Sequence, residues 1–417
     1  MIPNSNPHHS PAHSRQKQYV WVLARFLNTA PQRLTVGLVL LIAAIVTGCQ
    51  SSGIDAALDP TEIGPGTSPG PAQKLQKLGR GSTPISMVLP LSASGKLGET
   101  GRRMRDGAKL AMADLGNDLI TLSIEDSRGD DTLARKLALR AASSGAKAVI
   151  GPVSYSATQQ LSRLSGAKRP PILALAENFA GAPGVYAVRL TETDSAAAGA
   201  AAIAAKGSRK FVLLVAKSAD AQAMEKRIAN SLSIYGATLV VTVPFSPGPL
   251  DAQRAASDVA ALVTAPDAVI VASGSGNPLP LVAALRDKGL LAGSAKLIGT
   301  SRWLDQSIQD PLLGGAYIAA LDNTETGPIT GRFKGMFGYE ADVDVAYAYD
   351  MVALVAGITS AVGPDGLTAR VLQNSTGFRG STGIFRFRAD GASEHSMPFY
   401  RIDGGTLKQI TKSVSGF

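Results

Sequence analysis

The sequence predicts an α/β protein of two lobes, each built on a doubly wound parallel β-sheet. From residue 85 onward, short apolar runs alternate with longer stretches whose apolar residues recur at helical spacing. Such alternation is typical of parallel sheets that helices cover on both faces. The roughly 334 residues from 84 onward are also too many for one sheet domain of ordinary size, and the alternation restarts near Arg189. Two lobes are therefore expected.

The first lobe is expected to hold four strands separated by helices. The strands are the apolar runs ISMVLPL (85–91), ITLSIED (120–126), KAVIGP (147–152) and PILALA (171–176). The helices cover 101–116, 131–144 and the stretch between the last two strands. Asp130 or Asp131 is expected to cap the second helix, because a side-chain carboxylate there can accept from free backbone N–H groups.

The second lobe repeats this pattern. Its strands are FVLLVA (211–216), ATLVVTVPF (237–245), DAVIVAS (267–273) and KLIGTS (296–301), and its helices cover 194–206, 220–235, 251–264 and 278–288. GAYIAAL (315–321) then leads to a long helix at 343–361. The tail GIFRFRADGASEHSMPFYRIDGGTLKQI (383–410) is expected to form a hairpin. The chain therefore crosses between the lobes several times.

The N-terminal region has the pattern of an export signal followed by a tether. Residues 1–48 contain four basic and no acidic residues, an uncharged apolar run (34–46) and then Val46-Thr47-Gly48-Cys49. The apolar run is shorter than the roughly 20 residues of a membrane span, so a signal peptide is expected. The ending resembles a bacterial lipobox, in which Cys49 is lipidated. Residues 49–83, rich in Pro, Gly and Ser, are expected to form a flexible linker.

Composition excludes several function classes. Removal of 1–48 lowers the net charge from +9 to +5 and leaves His395 as the last histidine. A metal site of imidazole and thiolate ligands is therefore not expected, and a Ser-His-Asp triad would depend on His395, which is expected on a surface turn. The spread positive charge does not indicate nucleic-acid binding. No cofactor is expected, and the acid pairs at 125–126 and 130–131 are interpreted as solvated strand and helix ends, so an enzyme is not expected.

A glycine-rich stretch, SASGKLGETGRRMRDG (92–107), fits no phosphate-binding motif. Its glycines are spaced G-x-x-G-x-x-G, and the residue after Gly95-Lys96 is Leu97 rather than Ser or Thr. Hydroxyl groups and free N–H groups at a helix start nevertheless suit a polar ligand. Ser92 and Ser94 are therefore expected at the rim of a ligand cleft.

Several stretches resemble the type I periplasmic binding proteins of the leucine-binding-protein class. These are VLPLSASGKLGETGRRMRDGAKLAM, KAVIGPVSYSATQQLS, AYAYDMVALVAGI and the ending GFRGSTGIFRF…PFYRIDGGTLKQI, and the resemblance covers about 84–417. It implies two lobes joined by hinge strands, with a ligand cleft between them and no catalysis. The implied boundaries are 84–190 plus about 323–375 for lobe 1, and 191–322 plus about 376–417 for lobe 2.

The resemblance places candidate ligand residues in two loops of the first lobe. In amino-acid receptors, hydroxyl groups of the first loop bind the ligand carboxylate, and this sequence has Ser154, Tyr155 and Ser156 there. Tyr155 is expected either to contact an aromatic or sugar ligand or simply to fill the cleft. Glu177 and Asn178 form the second loop. Glu177 would repel a ligand carboxylate and suits an amine or hydroxyl groups, or else it is a surface or helix-capping acid.

In the second lobe, the positions that hold an amino acid in the family are largely substituted. The aromatic residue that follows the first strand is absent from the stretch 217–220, and the acid that binds the ligand ammonium aligns with Ser301. Arg302 and Trp303 follow. Trp303 is expected either to face the cleft or to plug the hydrophobic space beneath its loop.

The resemblance leaves two functions open. PPILALAEN and GTSRWLD are most similar to penicillin-binding protein activators, lipoproteins that stimulate peptidoglycan synthases, so a regulator of peptidoglycan synthesis is the first expectation. The alternative is the substrate-binding component of an ABC importer for an amino acid or related small polar solute. The expected partners are accordingly a peptidoglycan synthase or an ABC permease, besides the membrane through the lipid. Gln50 after the lipid cysteine favours the outer membrane of a bacterial envelope, facing the periplasm.

Overall fold

The computed structural model describes residues 71, 73–164, 169–218, 221–305, 308–321 and 327–411, and it confirms the two-lobed α/β fold. The predicted signal peptide (1–48), Cys49 and most of the predicted linker lie outside the described residues. The last part of the segment 49–83 differs from the expected linker, because Gln76–Leu78 form a β-strand.

The first lobe contains a six-stranded sheet in the order β1-β3-β2-β4-β5-β6. Its strands are β1 (Gln76–Leu78), β2 (Thr83–Leu89), β3 (Ile120–Asp126), β4 (Ala148–Ile150), β5 (Ile172–Ala174) and β6 (Val185–Ala187). All neighbours are parallel except β1, which pairs antiparallel with β3 and places Leu78 opposite Leu122. Leu78 packs on the lobe's core, which explains why this short segment is ordered against the sheet.

Helices cover both faces of the first sheet. They are α1 (Gly95–Ala111, continued by a π-helical segment Met112–Gly116), α2 (Asp131–Ser143) and α3 (Tyr155–Ser162). Along β2, Met87 and Leu89 face one hydrophobic cluster and Val88 faces the other, as the two-residue period of a strand requires. Burial on both faces explains the unbroken apolar run. Asp130 caps α2 by accepting from the Leu133 N–H at 2.6 Å, which confirms one of the two expected caps.

The second lobe contains a larger sheet. Its parallel part follows the order β11-β10-β9-β7-β8, formed by β7 (Lys210–Ala216), β8 (Thr238–Phe245), β9 (Ala268–Ala272), β10 (Lys296–Ile298) and β11 (Tyr317–Ala319). Its helices are α4 (Glu192–Ala205), α5 (Ala221–Ser233), α6 (Pro249–Leu262) and α7 (Leu279–Asp287), with 3-10 segments at Ser301–Asp305 and Pro311–Leu313. Val212 and Leu213 of β7 enter different clusters on the two faces.

Two further helices follow the second sheet and return to the first lobe. They are α8 (Gly327–Phe337) and α9 (Val343–Val362), followed by a 3-10 turn (Pro364–Gly366) and the short α10 (Ala369–Leu372). Within the described ranges, α9 alone is long and apolar enough to cross a bilayer, yet most of it is buried inside the protein. Val345, Val352 and Val355 belong to the first lobe's hydrophobic cluster, so α9 is a core helix.

The C-terminal tail divides between the lobes, although the sequence assigned 376–417 to the second lobe as a whole. β12 (Phe378–Gly380), β13 (Gly383–Phe387) and β14 (Ser393–His395) form an antiparallel sheet, and Phe385 packs in the first lobe's core. β15 (Phe399–Asp403) and β16 (Thr406–Thr411) form a hairpin that covers only the last part of the expected one (383–410), and they extend the second sheet beyond β11. The prediction of His395 on a surface turn is wrong, because its ring is buried beside Phe385.

A buried carboxylate attaches the β12–β13 turn to α9. Asp350 is buried and accepts hydrogen bonds from the backbone N–H groups of Ser381 (2.6 Å) and Thr382 (2.9 Å) and from both hydroxyl groups (2.7 and 2.6 Å). Burial raises the pKa of Asp350, and these four hydrogen bonds oppose that rise. A single side chain thus fixes the tail to the core helix of the first lobe.

Candidate ligand-binding cleft

The candidate site lies where the carboxyl ends of both sheets meet. In the first lobe, the loops that follow β2, β4 and β5 contain Ser92, Ser154 and Glu177; in the second lobe, the loop that follows β10 contains Arg302. Ligands of open parallel sheets bind outside the carboxyl ends of the strands. The Arg302 Nη2 lies 3.3 Å from Glu177 Oε2, so the two edges face each other across one cleft.

Glu177 pairs with two arginines in this cleft. Besides Arg302, it accepts a hydrogen bond from Arg189 Nη2 at 2.8 Å, and its side chain is 48% exposed. Partial burial raises the pKa of Glu177, but the positive charges of Arg189 and Arg302 outweigh burial and hold that pKa below its ordinary value. Glu177 is therefore ionised and bridges the lobes.

Arg189 fixes the segment through which the chain first passes between the lobes. Its Nη1 donates to Asp344 Oδ1 at 2.5 Å, and the other oxygen of Asp344 accepts from the Thr100 hydroxyl at 3.0 Å. The guanidinium also lies 5.5 Å from the centre of the Tyr347 ring. The Tyr347 hydroxyl accepts from the Leu190 N–H at 2.8 Å, and burial raises the pKa of Tyr347 to about 12. The crossing segment is thus held on α9.

A second acid, Glu192, lies at the same edge in the second lobe. Its Oε1 accepts from the Gly274 N–H (3.1 Å), after β9, and from the Thr300 hydroxyl (2.8 Å), after β10. Burial raises the pKa of Glu192, and these hydrogen bonds and the charge of Arg302 oppose that rise. Sequence reasoning missed Glu192 because it placed the start of this helix at 194.

The hydroxyl groups predicted in the loop after β4 have local partners. Ser154 caps α3 by accepting from the Ala157 N–H at 3.2 Å, and its hydroxyl donates to Asp131. The hydroxyl of Ser156 accepts from Gln160. Tyr155 is 44% exposed and contacts Phe179 edge-on. This loop therefore offers the exposed side chains of Tyr155 and Ser156, whereas Ser154 is held at the start of α3.

The loop after β2 is held by a buried acid. Asp126 accepts from the Ser92 N–H (3.2 Å), the Arg128 N–H (2.8 Å) and the Gln73 N–H (3.0 Å). Burial raises the pKa of Asp126, but these hydrogen bonds outweigh burial and lower it overall. Ser94 is exposed and immediately precedes α1, although its side chain does not cap that helix. The expectation that the acids at 125–126 form a solvated strand end is wrong for Asp126, which is buried and holds the loop after β2.

The glycines of α1 allow this loop and the helix to approach each other closely. A Cβ on Gly98 would lie 1.8 Å from the Ala93 carbonyl oxygen, and one on Gly101 would lie 2.9 Å from the Pro90 carbonyl oxygen. Neither position tolerates a side chain without a shift of the backbone. The glycine spacing thus serves packing beneath the rim that carries Ser92 and Ser94.

The remaining predicted residues differ in their access to the cleft. Asn178 is exposed and has a left-handed backbone with φ of 57°, a conformation that Asn tolerates better than most residues. The Ser301 N–H donates to the hydroxyl of Ser195 at 2.8 Å. Trp303 is 1% exposed and belongs to the second lobe's core, with its ring against Gly299. Trp303 thus occupies the hydrophobic space beneath its loop.

A family comparison accounts for this arrangement. A family model described as periplasmic binding protein matches residues 83–406. The chain belongs to the periplasmic binding protein family. The resemblance to type I members is confirmed, and family membership implies a periplasmic or envelope location. A search of curated protein sequences finds no match.

Solved structures of periplasmic binding proteins share the fold at low sequence identity. A branched-chain amino acid ABC transporter ligand-binding protein of Burkholderia xenovorans has a TM-score of 0.62 and 16% identity, covering 79% of this chain and 95% of that one. A substrate-binding protein of Desulfitobacterium hafniense in complex with Leu has a TM-score of 0.57 and 16% identity, covering 79% of this chain and 99% of that one. A solute-binding protein of R. palustris in complex with benzoate has a TM-score of 0.53 and 19% identity, covering 81% of this chain and 98% of that one.

The charged side chains of the cleft offer ionic and hydrogen-bonding groups. Within the described ranges, His, Cys, Asp and Glu side chains form no group that could hold a metal ion. Arg302 offers a planar cation that can bind a carboxylate, whereas Glu177 and Glu192 accept hydrogen bonds or pair with a cation. The cleft therefore presents both signs of charge close together.

Proposed function

We propose that this periplasmic binding protein is the solute-binding component of an ABC importer and holds a small polar ligand between its lobes. The observation that carries this proposal is the Arg302–Glu177 pair, which brings charged groups from both carboxyl edges into one cleft. Solved relatives bound to Leu and to benzoate support it, because both of their ligands are small carboxylates.

The ligand replaces the protein's own bridge between the lobes. A ligand carboxylate takes the place of Glu177 on the guanidinium of Arg302, and Glu177 stays paired with Arg189. Tyr155 and Asn178, both exposed at the first lobe's edge, contact the remainder of the ligand. Trp303 has no direct role in this proposal, because its ring is buried in the core.

The test is a thermal-shift screen followed by isothermal titration. The panel contains the L-amino acids, benzoate, hydroxybenzoates and simple sugars. We expect at least one compound to bind saturably with micromolar affinity. It should also raise the unfolding temperature, because a ligand that binds only the folded state stabilises that state. Arg302→Gln should weaken binding of the best compound at least tenfold. Arg80→Gln, which removes an exposed guanidinium paired with Asp118, should leave it unchanged. A panel without any shift contradicts the proposal.

One observation favours a second candidate function, a regulator of peptidoglycan synthesis. The two stretches that resemble penicillin-binding protein activators, PPILALAEN and GTSRWLD, supply Glu177 and Arg302, which pair with each other without any ligand. A cleft closed by its own residues suits a protein that binds a partner rather than a solute. The matching test is co-purification with a bifunctional peptidoglycan synthase, together with a faster glycan synthesis rate. Absence of both effects contradicts this second function.

We further propose that the protein is a lipoprotein anchored in the cell envelope. Signal removal after residue 48 would expose Cys49 for lipidation, and Gln50 favours the outer membrane. Cys49→Ser should abolish incorporation of labelled palmitate and move the protein from the membrane fraction to the soluble periplasmic fraction. Unchanged membrane association of that variant contradicts the anchor.

A further inference from the structure

Glu192 is a partly buried acid whose position is not explained by the helix that carries it. It is the first residue of α4, whose start is already capped: the Thr191 hydroxyl accepts from the Asp194 N–H, and Asp194 accepts from the Thr191 N–H. An acid is favourable at a helix start, but an exposed one serves that purpose. Glu192 instead turns into the carboxyl edge of the second sheet.

Only one of the two carboxylate oxygens of Glu192 accepts hydrogen bonds from the described residues. Both of its hydrogen bonds, from Gly274 and Thr300, go to Oε1, and no described residue donates to Oε2. Directly before Gly274, the hydroxyl of Ser273 is buried and has no hydrogen-bond partner within the described part of the chain. Buried polar groups nearly always have partners, so the unpaired Ser273 hydroxyl beside a carboxylate with one unused oxygen indicates a place for a donor from outside the chain.

The charge balance of the cleft identifies that donor. Arg302 is the cation whose field acts on both Glu177 and Glu192. When a ligand carboxylate binds Arg302, the partly buried Glu192 loses this favourable charge and keeps only its hydrogen bonds from Thr300 and Gly274, which is unfavourable for a carboxylate removed from water. A cation on the same ligand restores the balance. A ligand with both a carboxylate and an ammonium group satisfies Arg302 and Glu192 together.

We propose that Glu192 is the specificity-determining residue that binds the ammonium group of an amino-acid ligand. This inference rests on the proposed solute-binding function. The position at which the amino-acid receptors have their ammonium-binding acid holds Ser301, whose N–H is bound to Ser195. Glu192 reaches the cleft from the start of α4 instead, so the acid has a different place in the chain.

The experiment uses pairs of probes that differ only in the ammonium group. They are L-leucine with 4-methylpentanoate, L-phenylalanine with 3-phenylpropanoate, and 4-aminobutyrate with butyrate, each titrated calorimetrically into the protein. In at least one pair the amino compound should bind at least tenfold more tightly than its partner. Glu192→Gln should remove this preference, whereas Glu225→Gln, an exposed acid of α5, should retain it.

Two further measurements separate ligand contact from a structural effect. Thr300→Val removes one hydrogen bond that orients Glu192 but keeps the charge of Glu192. This variant should bind the amino compound severalfold more weakly and still prefer it to its partner without the ammonium group. The affinity of the wild type should also fall as acid pH protonates Glu192, and the Glu192→Gln variant should lack that dependence. Unchanged selectivity in a folded Glu192→Gln variant overturns the inference.

The outcomes distinguish this inference from the proposed function. If the protein binds a carboxylate without an amine, such as benzoate, as tightly as any amino compound, the role of Glu192 is refuted and solute binding stands. If no compound of the panel or of the pairs binds, both proposals are refuted.

Discussion

Arg189→Met should destabilise the protein by several kilocalories per mole, although Arg189 lies in a loop. The substitution keeps an apolar chain of similar length and removes the guanidinium. The Arg189 and Asp344 side chains are only 10% and 13% exposed. Loss of Arg189 leaves the Thr100 hydroxyl as the remaining hydrogen-bond partner of the Asp344 side chain among the described residues. Breaking such a buried pair costs about 3 kcal/mol.

The other contacts of Arg189 add less. The pair with Glu177 involves a half-exposed carboxylate, so solvent screening limits its loss to at most about 1 kcal/mol. The contact with the Tyr347 ring contributes about 0.5 kcal/mol. We therefore expect a loss of about 4 kcal/mol, and we expect Asp344→Asn in the same chain to recover part of it, because no unpaired carboxylate then remains.

Urea unfolding followed by circular dichroism measures this loss, with Arg80→Met as the matched control. Arg80 and Asp118 also form an ion pair, but their side chains are 84% and 71% exposed, so the control should lose less than about 1 kcal/mol. The reasoning is refuted if Arg189→Met costs no more than Arg80→Met. It is also refuted if Asp344→Asn lowers the free energy of unfolding by as much in the double variant as it does alone.

Three further predictions concern other acids of the first lobe. Asp350→Asn should lower the free energy of unfolding by about 3 kcal/mol, because an amide NH2 cannot accept the hydrogen bonds that one carboxylate oxygen accepts; a urea titration that shows less than about 1 kcal/mol contradicts this. Asp126→Asn should cost about 2 kcal/mol and accelerate hydrogen exchange at the Ser92 amide, and unchanged exchange argues against the contact. Because the pKa of Glu177 is lowered in the folded protein, its ionic pairing stabilises the protein fully above the ordinary pKa of Glu, and this stabilisation is lost as pH falls through the lowered pKa of the folded state. When the pH is lowered through this range, the unfolding temperature of the Arg302→Gln variant should thus fall less than that of the wild type. Parallel curves of unfolding temperature against pH contradict the bridge.

The fold could be predicted where local pattern and burial coincide. β3 (Ile120–Asp126) matches its expected range, and α2 begins at Asp131 because the cap at Asp130 is a local signal. Short strands such as β1 and β6, three residues each, have too few positions for a period to be visible. The tail divides between lobes because Phe385 finds its core through tertiary packing, which alternation along the chain does not specify.

The candidate site could be predicted only as far as its loops. The rule that ligands bind at the carboxyl ends of parallel strands directs attention to Glu177 and Arg302. Arg189 and Asp344 are 155 positions apart, and Glu192 and Gly274 are 82 apart, so no sequence spacing identifies them as partners. Trp303 could be predicted as a cleft residue or as a plug, and only the packing of its ring on Gly299 decides between these.

The most direct test of a ligand site between the lobes is a crystal structure of the protein with the compound that gives the largest thermal shift. We predict density between the carboxyl edges of the two sheets, with a ligand carboxylate on Arg302 and a ligand donor within hydrogen-bond distance of Glu192. Density at another surface, such as the groove between β8 and α6 that Val241 and Leu262 line, would contradict the cleft as the binding site.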